Sequence, residues 1–268
     1  MKRFATLLAL LAGLTFHGAP SWAQPANVDA AKKEGKVVVY GSVVPQAMDG
    51  LHQAFKKKYG IDVDFHLDGG YETKSLDYPM VCEITDKIGW QGRVAFGHGS
   101  KYSFMPVKEQ AAIGKRLGQS GVSLAVLPVT DLFNAGRHVE HSVMRGVTDA
   151  NTLIENGANC TIATNNVLNA FTPYGDCSLT RIVNLYANVV QRYGPKDLDV
   201  CFEMITDRAA KLMRLADYGI AIGKAADLVV WGETRPCDVI AKSALPLAGF
   251  KRGRRIFTRE LPTLQQPQ

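Results

Sequence analysis

The chain has 268 residues, of which 46% are hydrophobic and 21% are charged, so it can bury the core of one large or two small domains. Its 31 Lys and Arg residues against 25 Asp and Glu residues give a formal charge of +6. Because the basic residues are scattered apart from short clusters at 56–58 and 251–255, we expect solvated surface at both clusters and no nucleic-acid partner.

Residues 1–23 have the three-part layout of a secretory signal peptide. A charged start at Lys2 and Arg3 precedes an apolar run that ends near Phe16, and small residues precede a break at Ala23. The run is too short to span a bilayer, so we expect a cleaved leader, a periplasmic location and no stable membrane insertion. The body has five cysteines without CxxC spacing, predicted to be buried free thiols, which by itself would suit a cytoplasmic protein.

A β-α-β unit follows the leader. A strand is predicted at Val37–Tyr40, and apolar residues at helical spacing from Met48 to Tyr59 predict a helix that ends at Gly60. The alternating run at 61–68 predicts the next strand. Two strands joined by a helix indicate parallel pairing.

The alternation of helix and strand then repeats. Helices are predicted around Leu76–Ile88, Lys108–Ser120 and Asp149–Asn156, and the apolar strands RVAFGH, VSLAVLP and CTIATN follow them in turn. A helix-rich stretch covers Leu179–Leu215, and the tail contains two strand-like runs, ADLVVW and RGRRIFTRE. The fold class is therefore α/β with a parallel sheet, as either a (β/α) barrel or an open doubly wound sheet.

Polar residues stand at the carboxyl ends of the predicted strands, where such folds place their sites. His66 and His98 end two neighbouring strands, and the pairs 130–131 and 165–166 follow the next two. Because neighbouring strands lie about 5 Å apart, two imidazoles at matched heights can share one divalent ion. We therefore interpret His66 and His98 as a candidate metal pair, with structural histidines as the alternative.

Several segments, in the right order, resemble the carboxyl-terminal half of a cytosine-deaminase-like amidohydrolase. They are RVAFGHGSKYS, LPVTDLFNAGR, TNNVLNAFTPYGDCSLTRIVNLYANVV and ADYGIAIGKAADLVVW, within about residues 61–258. The resemblance implies a partial (β/α)8 TIM-type barrel with about the last four strands, preceded by one extra β-α unit and followed by a small C-terminal β layer. It also implies one divalent metal, zinc or iron(II), that makes hydroxide for hydrolysis of a C–N bond in a cyclic amidine or amide.

The resemblance also implies metal ligands. His66 and His98 match metal-binding histidines on the family's fifth and sixth strands, and Asn165 falls where the family has a metal-binding aspartate on the eighth. An amide oxygen is a weaker ligand than a carboxylate, so capping of a turn is the alternative for Asn165. The His-x-His pair of the family's first strand has no counterpart upstream of His66.

The group that moves protons in the family has no match here. The family's glutamate stands three residues after the first of these histidines, and this chain has Gly69 there. Glycine can neither accept nor donate a proton, so the acid/base role is unfilled. Asp68 and Glu72 are the nearby carboxylates that could substitute.

Three residues are interpreted as substrate contacts. Asn166 takes the family's substrate-contacting position beside the metal aspartate, and Arg137 and Asp131 lie in the segment after VSLAVLP. Surface packing and turn formation are their alternatives. The expected partner is a small nitrogen heterocycle.

The amino terminus resembles a different family. The leader, VDAAKKEGKVVVYGS and AFKKKYGIDV are similar to the start of a periplasmic solute-binding protein of an ABC importer. The predicted organisation is therefore a signal peptide at 1–23, a solute-binding-like β-α segment at 24–60, an amidohydrolase-like half barrel at 61–225 and a C-terminal β segment with a tail at 226–268.

Three functions follow from these features. The first is a metal-dependent deaminase of a cytosine-like ring, impaired by its missing groups. The second is an exported, non-catalytic solute-binding protein. The third is a fusion relic, in which the half barrel hides its open sheet edges in a homo-oligomer.

Overall fold

The computed structural model describes residues 36–39 and 62–263, together with the single residues 29, 58 and 265. The predicted signal peptide at 1–23 lies outside the described residues, as does most of the segment 24–60. In the described part of the chain, every helix is too short or too polar to cross a membrane.

A parallel sheet forms the centre of the fold. Its strands lie side by side in chain order, and each pairs in parallel with the next. They are β1 (Lys36–Val39), β2 (Asp62–Leu67), β3 (Val94–His98), β4 (Val122–Val126) and β5 (Asn159–Ile162). The predicted α/β class is confirmed. A doubly wound sheet reverses its strand order at a switch point, and these strands follow one another without a reversal.

Helices connect and follow these strands. They are α1 (Tyr78–Ile88), α2 (Val107–Ser120), α3 (Pro128–Asn134), α4 (Ala150–Glu155), α5 (Leu179–Val190), α6 (Pro195–Glu203), α7 (Asp207–Leu212) and α8 (Pro236–Ala241), with a 3-10 turn at Ser100–Phe104. The three helices predicted before β3, β4 and β5 are all present. Their C-cap residues are Gly89, Gly121 and Asn156.

Helix α3 corrects the prediction for the segment VSLAVLP. The strand ends at Val126, and Pro128 begins a short helix, because a proline at the first helical position has its φ already set and lacks only an N–H that would be unpaired there. Thr130 and Asp131 therefore belong to the first turns of α3 rather than to the end of a strand.

Close backbone packing holds α2 against α4. A Cβ atom placed on Gly118 would lie 2.5 Å from the carbonyl oxygen of Gly157, and one on Gly114 would lie 2.6 Å from that of Leu153. Both positions therefore exclude any side chain. The core beneath is built from fully buried side chains of β3, β4, α2 and α5, including Phe96, Leu124, Leu117 and Tyr186.

A separate antiparallel sheet follows the main one. It contains β6 (Leu228–Val230), β7 (Ala248–Lys251) and β8 (Arg254–Thr258), and it is the small C-terminal β layer that the sequence predicts. Strand β7 was not predicted, because AGFK is short and lacks alternation. Every residue of β6 and β8 is exposed, including Val229 and Ile256 at 47% and 65%.

Candidate functional site

A cavity of about 330 Å³ lies at the carboxyl ends of β2, β3 and β4. Its walls include Gly69 after β2, His98 at the end of β3, and Asp131 in α3. The volume is at the lower end of the range for small-molecule sites. The cavity is therefore suited to a small ligand.

The backbone is unusual where the strands end at this site. Asp68, His98 and Asn165 have φ angles of 52°, 80° and 57°. Left-handed backbone costs free energy for residues with a side chain, and it persists where the surrounding structure enforces it, often at functional sites. The chain leaves each of β2, β3 and β5 by such a turn within a few residues of the strand end.

His98 and Asp131 are joined directly. Nδ1 of His98 lies 2.7 Å from Oδ1 of Asp131, and the side chains are 20% and 5% exposed. With a carboxylate as acceptor, the histidine proton is assigned to Nδ1. Burial raises the pKa of the Asp131 carboxyl, and the hydrogen bond from His98 opposes that rise. Oδ2 of Asp131 is buried and has no hydrogen-bond partner among the described residues.

Asp68 has a structural role, because its carboxylate is held by hydrogen bonds within the fold. Its carboxylate accepts hydrogen bonds from the Tyr102 hydroxyl at 2.5 Å and from the backbone N–H groups of Asp77 and Tyr78, at the start of α1. Burial raises its pKa, and these three donors act in the opposite direction. Asp68 therefore ties α1 to the segment after β3, and its oxygens are turned towards these donors.

The two other positions of the predicted acid/base group are both exposed, but only one of them lines the cavity. Gly69 lines the cavity, and a Cβ atom placed there would meet nothing within 4 Å. Glu72 is exposed, and its carboxylate accepts from the backbone N–H groups of Lys74 and Ser75. The bond from Lys74 is the main reason that the pKa of Glu72 is lowered. Glu72 is thus fixed in a local turn that is not among the residues lining the cavity.

The predicted metal pair is offset in the sheet. His66 pairs with Gly97, and Leu67 pairs with His98, so the two histidines stand one residue apart in register rather than at matched heights. The side chain of His66 lies outside the described part. Among the residues whose side chains are described, no three His, Cys, Asp or Glu residues are grouped to hold a metal ion.

Asn165 and Asn166 have different surroundings. Oδ1 of Asn165 is buried without a hydrogen-bond partner in the described part, as an oxygen available to a ligand would be. Oδ1 of Asn166 accepts from Nδ2 of Asn169 at 2.9 Å, within the turn that follows. One imidazole and one amide oxygen are fewer donors than the three protein ligands of a catalytic zinc site, so the described residues alone do not fit the family's metal.

Arg137 is not among the residues that line the cavity. Its guanidinium lies 5.0 Å from the centroid of the Phe133 ring, and the residue is exposed. Neither Arg137 nor Asn166 is among the residues that line the cavity, whereas Asp131 is. The structure thus brings together His98, Asp131 and Gly69, and it leaves Arg137 and Asn166 outside the cavity wall.

Tyr71 is a cavity residue that the sequence did not single out. Its hydroxyl donates to the carbonyl oxygen of Asn134 at 2.6 Å and accepts from the N–H of Gly136 at 2.8 Å. The bonds span more than 60 positions of the chain, so nothing local in the sequence marks them. The signal that could have identified Tyr71 is its place directly after the strand end and the glycine pair at 69–70.

A family model described as "Amidohydrolase family" matches residues 48–254. The chain belongs to the amidohydrolase family. The match begins ahead of residue 61, where the amidohydrolase-like half was predicted to start, and it includes the end of the segment assigned to the solute-binding resemblance.

Curated relatives of this amidohydrolase-family chain include two enzymes that have the same percentage of sequence identity to it. A "Pterin deaminase" from Rhizobium rhizogenes is 24% identical over 209 residues, which are 77% of this chain and 47% of the relative. An "N-isopropylammelide isopropyl amidohydrolase" from Pseudomonas sp. (strain ADP) is 24% identical over 214 residues, which are 76% and 48% of the two chains. The chain therefore spans about half the length of the curated relatives that it matches.

A similar solved structure is the 5-methylcytosine deaminase from Klebsiella pneumoniae with bound 5-fluorocytosine. It superposes with a TM-score of 0.79 at 22% identity and covers 90% of this chain and 60% of its own. The N-isopropylammelide isopropylaminohydrolase from Burkholderia multivorans superposes with a TM-score of 0.66 at 19% identity over 79% and 51% of the two chains. These likenesses bear on the fold.

Proposed function

We propose that this chain forms the carboxyl-terminal part of a (β/α) barrel and hydrolyses a C–N bond in a cyclic amidine or amide, by deamination of a cytosine-like nitrogen heterocycle. The observation that carries the proposal is the His98–Asp131 pair, which joins the end of β3 to helix α3 on the wall of a cavity of small-molecule size. The deaminases among the relatives support the choice of reaction.

The chain's own residues would position the imidazole and bind the substrate. Asp131 fixes the ring of His98 through Nδ1, so that the other ring nitrogen keeps one direction. The second oxygen of Asp131 accepts an N–H of the substrate, and Oδ1 of Asn165 is a further buried acceptor beyond β5. Asn166 and Arg137 stay proposed as outer contacts, for which packing and turn formation are the alternatives.

The metal is the incomplete part of the proposal. Members of the family typically bind one divalent ion, zinc or iron(II) in our proposal, which supplies hydroxide near neutral pH. His66, His98 and Asn165 are the proposed ligands, and the described residues do not complete the set. We therefore assign no step to the ion.

The proton-transfer group is also missing at its family position. Gly69 cannot shuttle protons, Asp68 is held by three donors, and Glu72 is bound in a surface turn. A positioned acid/base group contributes about 10²- to 10⁴-fold to such reactions. We therefore propose slow, impaired hydrolysis.

Ammonia release tests this function directly. Purified protein is incubated with cytosine or pterin after loading with zinc, after loading with iron(II), and after treatment with a chelator. We expect slow, metal-dependent release that the Asp131→Ala variant loses, since that variant removes the carboxylate that Nδ1 of His98 contacts. No release from either compound with either metal would refute the hydrolytic proposal.

An exported solute-binding protein is the second candidate, and the leader-like pattern at 1–23 favours it. It predicts reversible heterocycle binding without turnover, and a periplasmic product whose first residue follows Ala23. Fractionation of a bacterial host with amino-terminal sequencing tests export, and the ammonia assay separates binding from turnover. A full-length product in the cytoplasm would contradict export.

For the third candidate, the fusion relic, we propose a homo-oligomer in which two half barrels pair with each other.

A further inference from the structure

Helix α3 contains Asp131 and is hydrogen-bonded to Tyr71. Asp131 lies in the first turn of α3, and the carbonyl of Asn134, the last residue of α3, accepts the hydrogen bond from the Tyr71 hydroxyl. The N–H of Gly136 donates to that hydroxyl as well. The two cavity residues therefore keep a fixed relation to each other, although they are 60 positions apart in the chain.

The ring of Tyr71 is also held by its neighbours. Its centroid lies 5.5 Å from that of Phe104 and 5.1 Å from that of His138, which is edge-on. Phe104 lines the cavity too. Aromatic side chains that are fixed in this way present a flat apolar surface without losing further rotamer freedom when a ligand binds.

Asp131 is a buried carboxylate among the residues that line the same cavity. Oδ1 is engaged by His98, whereas Oδ2 is buried and has no hydrogen-bond partner in the described part. A buried acceptor without a partner costs free energy, and a ligand that donates an N–H to it recovers that cost. The favoured ligand is thus a donor at this point.

We infer that Tyr71 and Asp131 form a recognition pair for a flat ring that carries an N–H donor. The ring packs on the Tyr71 side chain, and Oδ2 of Asp131 accepts the N–H. Such a ligand is a cyclic amidine or amide, whereas a sugar lacks the flat face and a plain hydrocarbon ring lacks the donor. The inference rests on the proposed function for the ligand class and for the role of Asp131, and it adds Tyr71 and the joint selection of the ligand by the two residues.

Ligand-observed NMR titration tests the pair, since it measures weak affinities and needs no turnover. The probes are cytosine and pyrimidine, which share a flat ring, and only cytosine carries N–H groups. Removing a stacking ring weakens binding by about 10- to 100-fold. We expect Tyr71→Leu to weaken both probes by about 10-fold, and Tyr71→Phe, which keeps the ring and loses the hydroxyl, to weaken them less.

Asp131→Asn separates the polar contact from the stacking contact. It removes the charge with little change of shape, so we expect weaker cytosine binding, by about 10-fold, and pyrimidine binding within about twofold of the parent protein. Tyr193→Leu is the matched control, because Tyr193 is 89% exposed and does not line the cavity. It should change neither affinity. Thermal melts of each variant establish that it is folded.

The outcomes distinguish this inference from the proposed function. Binding that depends on Tyr71 and Asp131 without ammonia release would support the recognition pair and refute hydrolysis. Ammonia release from cytosine that Tyr71→Leu leaves unchanged would support hydrolysis and overturn the pair. The pair is also overturned if the parent protein binds neither probe, or if Asp131→Asn weakens both probes equally.

Discussion

At the scale of single residues, position 69 is where our proposal places the acid/base group that this chain lacks. The glycine lies on the cavity wall, its φ is not in the left-handed region, and the space that a Cβ would occupy is open. Its neighbour Gly70 has a φ of 90° and would be strained by any side chain. The cavity wall therefore has room for a side chain at position 69, where we propose that the acid/base group is missing.

Replacement of Gly69 by glutamate should raise activity. We expect Gly69→Glu to increase ammonia release from cytosine by about 100-fold over the parent protein, because a positioned carboxyl contributes at least that much to proton transfer. Gly69→Gln has the same size and cannot titrate, so it should leave the rate near the parent level. Equal rates for the two variants would show that the carboxyl acts in no proton step.

Asp68 and Glu72 should differ in their effect on stability. Asp68→Ala leaves the buried Tyr102 hydroxyl and two N–H groups at the start of α1 without their acceptor, so the free energy of unfolding should fall by about 2–4 kcal/mol. Glu72→Ala removes an exposed side chain and should change it by less than about 0.5 kcal/mol. Urea unfolding measures both. Equal losses would contradict the structural role of Asp68.

The sequence located single site residues better than it located their partners. His98 could be identified because it ends an apolar strand, and Asp131 because it follows another. Their pairing depends on how β3 and α3 meet in space, and periodicity carries no information on that. The same is true of Asp68, whose partner Tyr102 is 34 positions away.

At the scale of elements, the packing of α2 on α4 depends on glycine as well as on apolar side chains. An ordinary helix gains about 0.5–1 kcal/mol when an interior glycine becomes alanine. In α2 the added methyl group would meet the backbone of Gly157 at a distance that real Cβ atoms do not reach. The helices would have to separate, and the buried contacts around Leu117 and Leu153 would loosen.

Gly118→Ala should therefore destabilise the protein despite its better helix propensity. We expect the free energy of unfolding to fall by about 1–3 kcal/mol, the range for overpacked sites. Gly69→Ala adds the same methyl group at a position where the Cβ meets nothing within 4 Å, so it should leave the free energy of unfolding nearly unchanged. Chemical denaturation of the two variants under one set of conditions gives the comparison. A stabilised Gly118→Ala protein would refute the close approach.

Elements with strong local signals were predictable, and the others depend on context. Helices α1 and α2 have clear periodicity and end at Gly89 and Gly121 in left-handed conformation, so their bounds were found to within about two residues. Helix α3 has only seven residues, and its sequence reads equally well as the end of an apolar strand. Strand β7 forms because its neighbours pair with it, which its own four residues do not signal.

At the scale of the whole molecule, the C-terminal sheet exposes apolar residues that a monomer usually covers. In β6 and β8, Val229, Val230, Ile256 and Phe257 are between 38% and 65% exposed. Exposed apolar side chains on a small sheet can bind apolar probe molecules. The native protein should therefore have a measurable affinity for hydrophobic dyes.

Dye binding tests this surface. We expect the native protein to increase the fluorescence of anilinonaphthalene sulfonate, and Ile256→Lys together with Phe257→Lys to reduce that signal by about half. Val107→Lys replaces a single residue that is 68% exposed at the start of α2, and it should have no effect. If the parent protein leaves the dye fluorescence unchanged, the small sheet is covered in solution.

The order of strands in the main sheet has a consequence for how such a chain can be divided. Among the five described strands, each bonds only to the strands next to it in chain order, so within this part of the chain no pairing skips over a neighbour. A break between consecutive β-α units then severs one ladder and leaves every other ladder intact. Such an architecture is modular, and a segment of it can retain its internal geometry after separation from the remainder.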